Sequence, residues 1–192
     1  MLDQPSRPLP PQPATSIVFV GSSIMALWDS LPRAFPDTSL INTAVSGSHT
    51  HEIVARLDEL VIAYAPRLVC YYCGSNDINY GATAHTVVDN VIETYQTLRQ
   101  CLADVKFVYL SIIKAPQKRD RWSVVETANA QLQQLAAQLP GFTFIDVNPL
   151  FFDAAGQPRW DFYEEDQLHL TAAAYAALGS LVVPRIKTLL NS

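Results

Sequence analysis

The strongest constraint this chain places on its own fold is a regular alternation between two hydrophobic periods. Short runs at 16–20, 39–42, 68–73, 106–110 and 142–146 are rich in β-branched and aromatic residues. They have the near-continuous apolar character of strands buried on both faces. Between them the apolar residues recur at helical spacing: Ile53, Leu57, Leu60, Val61 and Tyr64, then Val87, Val88, Val91, Ile92, Tyr95, Leu98 and Leu102. A third stripe, Val125, Ala128, Leu132, Leu135, Ala136 and Leu139, stops at Pro140-Gly141, and a last helix is expected from Thr171 through Tyr175, Leu178 and Val182, with a bend at Pro184. Strands alternating with helices require a parallel sheet covered on both sides, so the expected class is α/β, a three-layer α/β/α sandwich with a five-stranded parallel sheet. Ligands in such folds bind beyond the carboxyl ends of the strands, near the point where strand order reverses. Functional residues are therefore expected directly after strands.

The 192 residues suit one domain, placed at 16–192. Residues 1–15 hold Pro5, Pro8, Pro10, Pro11 and Pro13 and almost nothing apolar, and read as an extended proline-rich arm. The net charge of −5 leaves no basic surplus to neutralise phosphates, so no nucleic-acid partner is expected. No run approaches the ~18 apolar residues of a membrane span, and none is expected. The first residues, Met1-Leu2-Asp3-Gln4, lack the basic and apolar regions of a signal peptide, which makes a cytoplasmic setting the expectation. Cys70, Cys73 and Cys101 are an odd set. Cys70 and Cys73 sit three apart in a strand-like run, so their thiols should point to opposite faces and not pair.

Four segments carry polar chemistry at the expected places. After the first strand comes Gly21-Ser22-Ser23-Ile24, which puts a serine hydroxyl at a strand-to-helix turn. After the second comes Val45-Ser46-Gly47-Ser48, where a glycine leaves a backbone N–H bare. After the third comes Gly74-Ser75-Asn76-Asp77, whose short amide suits an oxyanion donor. Before the last helix comes Asp166-Gln167-Leu168-His169, a spacing at which the carboxylate reaches Nδ1–H, fixes the tautomer and leaves Nε2 free as a base. Each segment alone is equally the chemistry of a helix cap or a turn. Together, and in this order, they supply a nucleophile, electrophilic donors and an oriented base, the set that acyl transfer needs.

These blocks resemble, in sequence order, the four signature blocks of the SGNH (GDSL-like) hydrolases. The resemblance extends over Tyr109-Leu110-Ser111-Ile112 and Phe144-Ile145-Asp146-Val147, and so over roughly 16–185. It implies the flavodoxin-like SGNH hydrolase fold, with Ser23 as nucleophile, Asp166 and His169 completing the triad, and Ser23 N–H, Gly47 N–H and Asn76 as the oxyanion hole. Two positions depart from the usual pattern: Ser22 stands where an aspartate is common, and Gln167 where a glycine is common. The implied activity is hydrolysis of acyl or acetyl esters of a small molecule, without metal or organic cofactor. The alternatives are an acyltransferase using the same triad and a non-catalytic domain that binds an acyl or sugar ligand. A flavodoxin-like nucleotide binder is disfavoured, because neither a Walker loop nor G-x-G-x-x-G follows the first strand.

Other residues are candidates for lesser roles. His49, two residues past Gly47, is a candidate substrate contact, as are Trp122 and Phe162 from two loops rich in basic and aromatic residues. His49 and His51 together suggest a metal pair, yet no third ligand stands at useful spacing, and no metal site is expected. His51 should cap a helix or face solvent at its start, and His85 should be a surface residue at a helix start. Residues 114–122, with Lys114, Lys118, Arg119 and Arg121, read as a solvated basic loop. The aromatics of 149–165 fit an acyl pocket and fit internal packing equally well.

Overall fold

A computed structural model describes residues 17–192. The arm expected over 1–15 lies outside the described residues. Five strands form one sheet: β1 (Ile17–Gly21), β2 (Leu40–Asn42), β3 (Leu68–Tyr72), β4 (Lys106–Leu110) and β5 (Phe142–Ile145). Every pairing is parallel and the spatial order is β2-β1-β3-β4-β5. The chain thus leaves β1 for the β2 edge and then returns past it to β3. The switch point lies between β1 and β3, where the expected functional loops begin.

Eight α-helices cover the sheet among the described residues: α1 (Ser23–Ala26), α2 (Leu31–Ala34), α3 (Thr50–Ala55), α4 (Leu57–Leu60), α5 (Ser75–Asn79), α6 (Ala84–Cys101), α7 (Trp122–Ala136) and α8 (Ala172–Asn191). Alternation along the strands divides the interior in two. One core gathers Ile17, Phe19, Leu68, Cys70 and Tyr72 with α1, α2 and α8. The other gathers Val18, Val20, Val69, Tyr71 and Cys73 with α3, α6 and α7. Cys70 and Cys73 therefore lie on opposite faces as their spacing requires, and all three cysteines are free.

Two expectations need correction. The stripe from Ile53 to Tyr64 is not one helix: Arg56 (φ −116°, ψ 18°) and Val61 (φ −136°, ψ −56°) leave helical geometry and break it into α3, α4 and a 3₁₀ turn, Ile62–Tyr64. The break at Arg56 lets Ile53, Leu57, Leu60 and Val61 all be buried. Secondly, α8 is long and apolar enough to cross a membrane by length and composition, a property that the search for one unbroken apolar run overlooks. Here its stripe Ala174, Leu178, Val182, Ile186 and Leu190 is buried in the first core. α8 begins where Thr171 accepts a hydrogen bond from Ala174 N–H at 3.4 Å, and it continues through Pro184.

Gly21 fixes how the chain leaves β1. Its φ is +150°, and a Cβ built there would stand 1.9 Å from the Tyr72 carbonyl oxygen. That same oxygen accepts the Ser22 N–H at 2.9 Å. Nothing larger than hydrogen fits between β1 and β3 at this corner. Gly21→Ala should accordingly cost about 3 kcal/mol or more, whereas Gly156→Ala, at φ +73° with nothing within 4 Å, should cost only about 1 kcal/mol. Urea unfolding midpoints of the two variants check this, and equal losses would show that the corner is not tight.

Candidate active site

The Gly21 corner sorts the two serines that follow it. Ser22 is 2% exposed, and its carbonyl accepts from the Met25 and Ala26 N–H groups at 3.0 Å each. Ser23 opens α1 and is partly exposed. Its N–H makes no hydrogen bond among the described residues, as expected of the first turn of a helix. The Gly47 N–H is likewise without an acceptor among the described residues, and Gly47 adopts φ +87°, a conformation that side chains rarely take.

The loop after β2 and the helix after β3 are bound into one unit. Asn76 Nδ2 donates to the Ser48 carbonyl at 3.0 Å, and Cys73 Sγ approaches the same oxygen at 3.2 Å. One residue on, the buried Asp77 carboxylate takes the Thr50 hydroxyl at 2.6 Å and the Thr50 N–H at 2.9 and 3.1 Å. Asn90 of α6 donates to the Thr50 hydroxyl at 2.8 Å. Asn76 spends one amide hydrogen on Ser48, so its second remains for a ligand. Gly47 and Asn76 are thereby held at one place on the carboxyl edge.

The Asp166–His169 turn is organised by the carboxylate. Asp166 Oδ2 lies 2.5 Å from His169 Nδ1, while Oδ1 accepts the Leu168 and His169 N–H groups at 3.0 and 2.9 Å. Burial pushes the Asp166 carboxyl up, but the His169 ring, the two N–H groups and the imidazolium charge outweigh it and hold the group down at about 2. Gln167, at the position where the family pattern has a glycine, sits at φ +60°, so the turn demands the left-handed conformation even though the residue is not glycine. Its carbonyl is engaged by the Gln117 N–H at 3.1 Å, and Glu164 N–H donates to the His169 carbonyl at 2.8 Å.

No hydrogen bond joins Ser23 to His169 among the described residues. They are brought to the same edge by α8, whose Tyr175 hydroxyl donates to the Ile24 carbonyl at 3.0 Å and whose Tyr175 ring packs on Trp28 at 6.0 Å. Contacts of this kind commonly tighten only when substrate is bound.

The remaining candidates divide. His49 stands beside the Gly47–Asn76 unit, its ring 5.2 Å from Tyr80 and its Nδ1 3.9 Å from Asp77 Oδ2. His51 is exposed at the start of α3, and His85 is exposed and paired with Asp89. Trp122 donates to the Ala115 carbonyl at 2.9 Å and packs edge-on against Phe152. Phe162 is a correction: it is 4% exposed and packed against Phe151, so it belongs to the core and is not offered to a ligand. Phe151 and Tyr163 are buried with it, which makes internal packing the main role of that aromatic run.

Lys118 is the second correction. It is 4% exposed, and its Nζ donates to the Ser75 hydroxyl and carbonyl at 2.9 and 3.2 Å. Burial lowers its pKa and the Asp77 carboxylate opposes that shift. With Gln117 holding Gln167, the 3₁₀ segment Pro116–Arg121 bridges α5 and the Asp166–His169 turn. Nothing in a run of four bases distinguishes the buried one from its solvated neighbours. Tyr175 was legible only as a stripe residue of the last helix.

Comparison with known proteins speaks to the family and the fold. The model of the GDSL-like lipase/acylhydrolase family matches residues 19–177. The thioesterase 1/protease 1/lysophospholipase L1 of Escherichia coli (strain K12) is 27% identical over 176 residues, which cover 88% of this chain and 78% of that one. Among solved structures, a candidate acylhydrolase from Bacteroides fragilis NCTC 9343 superposes with a TM-score of 0.83 at 20% identity, covering 95% of this chain and 92% of that one. A GDSL-like lipase from Bacteroides thetaiotaomicron VPI-5482 gives 0.79 at 20% identity, over 93% and 92%. Both confirm the sandwich fold.

The Asp166 turn makes a pH-dependent contribution to stability of definite sign. Its folded pKa lies below the ~3.9 of an unfolded aspartate, so the contribution is complete above that value and is lost as pH falls through about 2. The difference in unfolding midpoint between the parent chain and Asp166→Asn should be full above pH ~4 and shrink steadily below it. Denaturant titrations across that range check this, and a gap that does not change with pH would contradict it.

Proposed function

We propose that this chain, which belongs to the GDSL-like lipase/acylhydrolase family and is an ester-bond hydrolase, cleaves acyl esters through an acyl-enzyme on Ser23. The observation that supports it most is a convergence on one sheet edge. A histidine already bonded to a carboxylate, His169 Nδ1 to Asp166 Oδ2 at 2.5 Å, shares that edge with two backbone N–H groups, of Ser23 and Gly47, that have no acceptor among the described residues.

In this reading His169 Nε2 removes the Ser23 hydroxyl proton as Oγ bonds to the acyl carbon. The former carbonyl oxygen takes the negative charge and meets the Ser23 N–H, the Gly47 N–H and the second Asn76 amide hydrogen. Collapse expels the alcohol, which leaves with the proton held by His169. Water then repeats the sequence and releases the acid, while Asp166 keeps the ring oriented and stabilises its cationic form. Ser22 is a poor rival for the attack, because its side chain is buried behind the corner.

The substrate reading follows from what borders the donors. Leu27 (47% exposed), Val45 (44%) and Tyr80 (80%) are large apolar residues left in solvent, and they lie on the segments that carry Ser23, Gly47 and Asn76. Trp160 (56%) is a fourth, on the segment that leads to the Asp166–His169 turn, and exposed apolar groups on these segments suit an acyl chain. The E. coli relative is named as a thioesterase and lysophospholipase, which accords with an acyl rather than an acetyl substrate. Asp166 and His169 are 41% and 34% exposed on their side chains, so water reaches the base for the second half of the cycle, and hydrolysis is favoured over transfer.

A serine-directed fluorophosphonate should label the chain once, at Ser23. Peptide mapping that placed the label on Ser22, or found none on active protein, would overturn the assignment. Asn76→Ala should lower kcat by roughly 10²–10³ with a much smaller change in KM. An unchanged kcat in a folded variant would remove Asn76 from the oxyanion hole.

A further inference from the structure

We propose that His49, His51 and Asp77 form a binding site for a divalent transition-metal ion of the zinc class, set beside the oxyanion unit and separate from the triad. The two histidines alone made an incomplete pair in the sequence. Folding brings in Asp77 from α5, the helix that follows β3, and one donor atom from each of the three residues lies within 4.8 Å of the others.

The three donors differ in a useful way. Asp77 is fixed: it is 4% exposed, and Thr50 holds Oδ1 through its hydroxyl at 2.6 Å and its N–H at 2.9 Å. Oδ2 has only the longer 3.1 Å contact with that N–H and faces His49 Nδ1 at 3.9 Å. A carboxylate oxygen has lone pairs to spare, so Oδ2 can bind an ion without releasing Thr50. His49 is restrained by its position at the start of α3, where its N–H donates to the Glu52 carboxylate at 2.8 Å, and by the Tyr80 ring against its own. His51 is exposed, its ring 5.6 Å from that of His49, and is free to swing.

Donors bonded to zinc at about 2.0–2.2 Å in a tetrahedron stand roughly 3.3–3.6 Å apart. The site therefore needs to contract by about an ångström or so, a movement the exposed His51 side chain supplies by rotation. Two imidazoles and one carboxylate select zinc, cobalt, nickel or copper over magnesium and calcium, which prefer all-oxygen shells. Three protein ligands leave the fourth position to water. The Asp77 and Glu52 carboxylates offset the charge of the ion.

The test uses the full chain without an affinity tag, stripped of metal with a chelator that is then removed. Titration with Co²⁺ should show the visible d–d absorption of a four-coordinate site at one ion per chain, and Zn²⁺ should abolish it by competition. His49→Ala and His51→Ala should each weaken binding by about tenfold or more, while His85→Ala, His169→Ala and Cys101→Ser should leave it unchanged. These last three remove the other two histidines and the exposed cysteine, including the base assigned above, so failure here and failure of the proposed ester chemistry are read separately. His51→Ala should also retain the ester-hydrolysis rate of the parent chain. Binding that survives both His49→Ala and His51→Ala, binding lost in His85→Ala or His169→Ala, or no stoichiometric binding would overturn the site.

Discussion

The buried contact between Asp77 and Thr50 is the constraint on which the carboxyl edge depends. Taking a carboxylate out of water costs several kcal/mol unless its oxygens are satisfied, and Asp77, 4% exposed, is satisfied almost wholly by one residue from another loop. Because Thr50 opens α3, the contact fixes where α3 starts and therefore where Gly47 and Ser48 lie before it. Because Asp77 follows Asn76, it also fixes the amide that donates to Ser48. Asn90 and Lys118 extend the network to α6 and to the segment before α7. A two-residue contact thus becomes a unit spanning four elements.

That unit sits where it does because of strand order. The switch between β1 and β3 opens a crevice at the carboxyl ends, and Gly21 narrows the crossing to backbone-to-backbone contact with Tyr72. The face of the sheet covered by α1, α2 and α8 carries Ser23 and, through the Tyr175–Ile24 bond, the turn with Asp166 and His169. The opposite face carries α3 and α6, which hold the Gly47–Asn76 unit. The nucleophile and base of the proposed reaction are thus anchored in one core, and two of its oxyanion donors in the other. Their meeting point is the edge of the single sheet both cores share.

How much of this the sequence shows depends on whether the cause is local. Strand positions were legible within a residue or so, because burial on both faces leaves a continuous apolar run. The positions of the four candidate blocks were legible because each lies at a strand end or a helix start, where spacing along the chain maps directly onto space. Long-range partnerships were not. Lys118 looks like Arg119 and Arg121 until β3 places Ser75 against it, and Asp77 looks like a turn residue until Thr50 reaches it. The broken helix at Arg56 escaped for a related reason: its apolar spacing fits one helix, and only packing against the sheet makes two short ones better. Phe162 shows the same limit, since an aromatic beside a site has the same sequence signature whether it faces the ligand or the core.

The two aspartates nearest the proposed chemistry show why one edge can be rigid and open at once. Asp77 is held in the interior through Thr50 and so locates the backbone around it, which spares the donors of the proposed oxyanion hole any rearrangement as charge develops. Asp166 is 41% exposed on its side chain and keeps its low pKa by hydrogen bonds rather than burial. It therefore stays ionised next to His169 without the desolvation that a buried dyad would face. Exposure weakens the Coulomb attraction between the pair through solvent screening. The loss is offset by geometry: three hydrogen bonds from a single turn fix the carboxylate, and Gln167 takes up the left-handed conformation that closes it. An acid–base pair held by its own turn needs no lid to work, and water has free access to it. Those are the conditions that the acyl-enzyme proposed on Ser23 requires for its hydrolysis.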